Sequence, residues 1–151
     1  MNRLVNRLVN RLVRGRTVTA TEALHTLALR VLIRHKPGNT PGHEFLSWPA
    51  CSEANRRAWT ALFQEMSANG WRAPKQPTVD VIVSGSCAKD HALGRALRSI
   101  GLQVWMQQTA RNTAWKRYDD SFQDLTDFSL QSWQDLAETL VANGWLHRRI
   151  P

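Results

Sequence analysis

One thirteen-residue pattern occurs twice without gaps, and it restricts the chain more than any other feature. Trp59-x-x-Leu62-x-x-x-Met66-x-Ala68-Asn69-Gly70-Trp71 matches Trp133-x-x-Leu136-x-x-x-Leu140-x-Ala142-Asn143-Gly144-Trp145 position for position. Apolar residues three and four apart form one helical face, and Asn-Gly is the usual place for a helix to stop in a left-handed residue. Each copy therefore predicts a helix that ends at its glycine, with the next tryptophan folding back on the last turn. Two roles follow for the indoles. Trp at i and i+7 on one face is the signature of a core, whereas exposed indoles beside the basic residues after each copy would make two stacking sites for bases. Those neighbours are Arg72 and Lys75 after Trp71, and His147, Arg148 and Arg149 after Trp145.

Charge is distributed unevenly. The formal net charge of the 151 residues is +8, with 20 Lys and Arg against 12 Asp and Glu. Residues 1–21 hold Arg3, Arg7, Arg11, Arg14 and Arg16 and no acid, so the remainder of the chain is close to balanced. The leading segment is the tetrapeptide Asn-Arg-Leu-Val three times over, at 2–5, 6–9 and 10–13. On a helix this gathers Arg3, Arg7, Arg11 and Arg14 into one stripe and the leucines and valines on the opposite side. The apolar side suits packing on the body, on a second copy or on a partner helix; the arginine stripe suits phosphates. An interfacial membrane helix or an Arg-rich presequence is a third reading. No apolar run approaches the ~20 residues that span a bilayer. Cys51 and Cys87 are the only cysteines, too few for a disulfide scaffold, which points to reduced thiols in a cytoplasmic protein.

Thr19 and Glu22 form a capping box ahead of Leu24, Leu27, Val31 and Leu32, predicting a helix over about 20–35. The breakers Lys36 to Gly42 then open a loop to about Pro49, with a short edge strand at Glu44 to Trp48. Ser52 caps the next helix, which carries the first Trp copy. Thr78 to Val83 is a β-branched run that predicts a strand, Ala88 to Ile100 a helix stopped by Gly101, and Leu102 to Gln107 a second strand. Together these predict a predominantly helical α/β fold. A small, partly parallel sheet would be built on a βαβ unit at about 78–107 and covered by helices at 20–35, 52–69 and 130–143. The expected organisation is a basic amphipathic helix at 1–16 and one compact α/β domain over 17–151. A short basic helix at Ala110 to Tyr118, followed by an acidic stretch, completes the chain.

Few residues are arranged for chemistry. Ser84-Gly85-Ser86-Cys87 leads from the predicted strand to a helix N-terminus but matches no phosphate-loop pattern. Cys87 and His91 stand four apart with no third group to orient them. The five histidines show no zinc spacing, and no cofactor is expected. Asp80 lies on the first predicted strand, Asp90 just past its carboxyl end, and Asp119, Asp120 and Asp124 follow the second; oxygen clusters at the carboxyl ends of parallel strands are where Mg²⁺ sites in α/β folds occur, and Asp80, Asp90 and Asp119 or Asp120 would hold the ion. From Val81 to Leu125, with Ser84-Gly85, Leu93, Leu97, Gly101 and Tyr118 to Leu125, the chain resembles the second half of PIN/NYN-type ribonuclease domains. It departs from them in having Ser86 where they carry an acid after Ser-Gly, and in lacking an Asp-bearing N-terminal strand. What that resemblance implies is a Mg²⁺-dependent nuclease.

The leading expectation is a non-enzymatic nucleic-acid-binding or accessory protein, on DNA or RNA. Arg3, Arg7, Arg11, Arg14, Arg16, Arg72, Lys75, Arg148 and Arg149 would contact phosphates, and Trp71 and Trp145 would stack on bases. The alternatives are the nuclease and a protein-interaction subunit or inhibitor that docks through residues 2–13.

Overall fold

A computed structural model of the chain describes residues 18–35, 47–83, 90–111 and 121–148. The predicted N-terminal helix, most of the predicted edge strand at 44–48 and the basic helix beyond residue 111 lie outside them. Among the described residues the helices are α1 (Ala20–His35), α2 (Glu53–Ala68), α3 (Ala92–Arg111), α4 (Ser121–Thr126) and α5 (Leu130–Ala142). A 3-10 turn (Trp48–Ala50) precedes α2, and strands β1 (Trp71–Arg72) and β2 (Leu146–His147) follow the two Trp copies.

The caps form as local chemistry dictates. Thr19 Oγ1 accepts from the Glu22 N–H (3.1 Å), Ser52 Oγ from Asn55 (3.0 Å) and Ser129 Oγ from Ser132 (3.2 Å), each supplying an acceptor to a first-turn amide. At the other ends, Gly70 and Gly144 take φ of +101° and +92°, the left-handed conformation that stops a helix. In the second copy the Gly144 N–H reaches Val141 O (3.0 Å) and the Trp145 N–H reaches Leu140 O (3.0 Å), the paired bonds of a Schellman stop.

The predicted parallel βαβ unit is absent. Residues 102–107 are helical because Leu93, Leu97, Ile100 and Val104 continue one face at spacings of four, three and four, and that face is what the core receives. Gly101 does not end the helix. A Cβ there would stand 2.4 Å from Trp133 Cη2, so the glycine is the notch into which that indole presses. Residues 78–83, predicted as a strand, form neither helix nor strand. They run between α1 and α5, so side chains satisfy their backbone instead. The only ladder among the described residues is antiparallel, pairing Trp71 with His147 and Arg72 with Leu146.

That register reveals an internal two-fold relation. Arg72 and Leu146 are equivalent positions of the two copies, and they face each other at its centre. Arg148 lies over Gly70, and its own equivalent, Pro74, lies over Gly144. The relation extends to the preceding helices: Leu24, Leu27, Ala28 and Val31 of α1 correspond to Leu97, Ile100, Gly101 and Val104 of α3, at the same spacing, and all are buried. Helix α1 packs on α2 and α5, and α3 packs on α5 and α2. Four helices thus enclose one core that contains Trp59, Trp71, Trp133 and Trp145. Gly101, against which Trp133 presses, has Ala28 as its equivalent in the first half, where Ala28 and Trp59 border one small cavity.

Candidate nucleic-acid interface

The two-residue ladder sits at the end of the molecule where both Trp copies stop. Arg72, Lys75 and Arg148 are exposed around it, and among the described residues none of the three is in an ion pair. Arg148 is held in place: its N–H donates to Gly70 O (3.1 Å), and its Cγ and Cδ lie 2.8 Å from where a Gly70 Cβ would stand. Leu146, facing Arg72 across the ladder, is also exposed. Cationic groups gathered this way can neutralise phosphates in a polymer without reading its bases.

Trp71 and Trp145 lie beneath this surface, 3% and 1% exposed. Trp71 meets the His147 ring edge-on at 5.0 Å and Trp145 meets Phe63 at 5.9 Å. Their faces are used by the core, so base stacking on these indoles is corrected to a packing role. Arg3, Arg7, Arg11, Arg14, Arg16 and Arg149 lie outside the described residues.

The carboxylates are not gathered. Asp80 is exposed within the segment 78–83, while Asp90 Oδ1 accepts from the Ala92 N–H (2.9 Å) as a cap of α3. Asp119 and Asp120 lie outside the described residues. Among the described residues no three His, Cys, Asp or Glu groups converge on one point. Both strands whose carboxyl ends were to assemble the metal site are missing, and with them the frame of the nuclease reading.

Two polar arrangements went unrecognised in the sequence. His25 is wholly buried, with its Nε2 3.4 Å from Cys51 Sγ and its ring edge-on to Trp48 and Trp59. Burial pushes its pKa from 6.5 down to about 4, so it is neutral near pH 7. The Cys51 thiol donates to Ser47 O (3.4 Å), and the pair is closed off from solvent, which makes it part of the core rather than a nucleophilic site.

The second arrangement clamps residues 78–83. The Asn143 carboxamide accepts from Val81 N (3.0 Å) and Thr78 Oγ1 (3.5 Å) and donates to Val81 O (2.6 Å) and Thr139 O (2.7 Å). Its donors and lone pairs are thereby all engaged. Thr139 Oγ1 accepts from Val83 N (3.3 Å), Arg34 donates to Val83 O (3.3 Å), and Arg30 donates to Val79 O. Next to this clamp, His35 Nε2 lies 2.7 Å from buried Asp135 Oδ2, whose other oxygen accepts from Gln131 (3.1 Å). The signal was a polar row, Asp135, Thr139 and Asn143, at helical spacing on a largely buried helix.

Comparison of the chain with protein-family models, with curated proteins and with solved structures finds no match.

Proposed function

We propose that the protein binds nucleic acid through phosphate contacts, with the ladder surface as one part of the interface. The observation that carries this reading is the grouping of exposed Arg72, Lys75 and Arg148 around β1 and β2 with no carboxylate paired to them among the described residues. The chain's net charge of +8 acts in the same direction over longer range. Because the neighbouring indoles are core, the contact is electrostatic and tolerant of sequence. Affinity then comes from counterion release, and a salt titration reads it directly. Each neutralised phosphate contributes about 0.7 to 0.9 to the slope of log affinity against log salt. The variant Arg72→Ala/Lys75→Ala/Arg148→Ala should lower that slope by about 2 to 3 on a single- or double-stranded oligonucleotide. An unchanged slope in a folded variant removes the ladder surface from the interface.

A further inference from the structure

We infer that the chain's own residues 10–16 dock in the groove between α2 and α3 and strap the basic N-terminal segment to the body, along the path that the two-fold relation assigns to the chain leading into α1.

In the second half both ends of the equivalent path are visible. Val83 is held between α5 and α1, where its N–H donates to Thr139 Oγ1 (3.3 Å) and its carbonyl accepts from Arg34 (3.3 Å). Asp90 then caps α3, and the Gly94 N–H donates to Gln134 Oε1 (2.7 Å). The chain thus meets α5 first at Thr139 and again at Gln134, once α3 has begun.

These contacts have counterparts in the first half. Thr139 maps to Glu65, Glu138 to Gln64, Asp135 to Ala61, Gln134 to Thr60 and Arg34 to Gln107. A groove of about 670 Å³ lies there, and all five counterparts line it. Val83 stands ten residues before Leu93, and Asn10 stands ten before Ala20, the residue equivalent to Leu93. Asn10 is therefore the residue whose N–H meets the Glu65 carboxylate and whose carbonyl meets the Gln107 amide.

Position, length and polarity identify the same occupant. Val18, the first described residue, lies just ahead of α1, and residues 1–17 precede it. The lining runs along α2 from Glu53 to Glu65, about 18 Å of helix, and residues 10–16 span about 20 Å as an extended chain. Only Ala54 and Ala61 in the lining are apolar, while Thr60, Gln64, Gln107 and Gln108 offer donors and acceptors. Such a surface suits a main chain better than the leucine and valine face of a helix. Charge sets the direction. At one end Glu53 lies 2.8 Å from Arg57, with Arg56 nearby, whereas Glu65 at the other end is in no ion pair among the described residues, and Arg11 follows Asn10 directly.

The test uses the full chain with no nucleic acid present, so its outcome is separate from that of the phosphate reading. With p-benzoylphenylalanine in place of Leu12, irradiation should link residue 12 to α2 between Arg57 and Glu65, or to Gln107 or Gln108, within one chain. Amide exchange at Asn10 should be slowed, and Glu65→Ala should speed it at least about fivefold because the bond it removes has a charged acceptor. Alanine at that place keeps the helix. Protection at Asn10 that neither Glu65→Ala nor Gln107→Ala changes overturns the inference, since a free-standing helix over residues 2–13 would protect its amides without those side chains. Absence of protection overturns it as well, as do links outside the groove. Links that join isotope-labelled to unlabelled chains would seat the segment on a second copy and overturn the strap.

Discussion

At residue scale the two halves solve the same packing problem with different atoms. Trp133 presses on a glycine where Trp59 has Ala28 nearby, so the second half tolerates less at that point. Gly101→Ala sets overpacking, about 1 to 3 kcal/mol, against the ~1 kcal/mol that alanine gains over glycine in a helix. The contact at 2.4 Å involves a rigid ring in a filled core, so a net loss is expected, measured as a lower urea midpoint at unchanged m-value. His25 makes stability depend on pH. Its folded pKa of about 4 lies below 6.5, so between those values the unfolded chain binds the extra proton. Stability then rises with pH, is fully present above about 6.5, and is lost as pH falls towards 4, by up to about 3 kcal/mol. Urea titrations at pH 4.5 and 7 should show this fall, and His25→Leu should flatten the contribution of one proton across that window.

At element scale, caps and stops were legible because each is decided within four or five residues. Ser52, Thr19 and the Asn-Gly pairs meet their partners inside one helical turn, whatever the remainder of the chain does. The β-branched run at 78–83 shows the opposite case. Its β-branched residues favour an extended backbone, but what lies alongside decides whether that backbone joins a sheet. Here helices flank it, and Asn143, Thr139, Arg30 and Arg34 take the place of neighbouring strands. Asn143→Ala removes both bonds to Val81, and a loss of about 2 to 3 kcal/mol is expected from two partly buried bonds. Amide exchange should accelerate first at Val81 and Val83, while protection in α2 stays near its original level.

At the scale of the whole molecule, the repeat noticed in the tryptophans is one part of a doubled architecture: a helix pair, a glycine stop and half of an antiparallel ladder, twice. On the proposed reading, the ladder surface and the arginine-bearing N-terminal segment can be tested separately. Deleting residues 1–16 removes five arginines, and the slope of log affinity against log salt should drop by about 3.5 to 4.5 if all five meet phosphates. An unchanged slope with a broken complex would instead make that segment a protein-docking element. Helices α1, α2 and α5, the caps at Thr19 and Ser52, the two Asn-Gly stops and the imbalance of charge were readable along the chain, because propensity, periodicity and capping act over short separations. Three matters waited for the packed structure: whether Gly101 ends a helix or receives a ring, whether residues 78–83 meet a strand or a row of side chains, and which cations share a surface. Each depends on groups far apart in sequence, and only the closing of the four helices on one another brings those groups into contact.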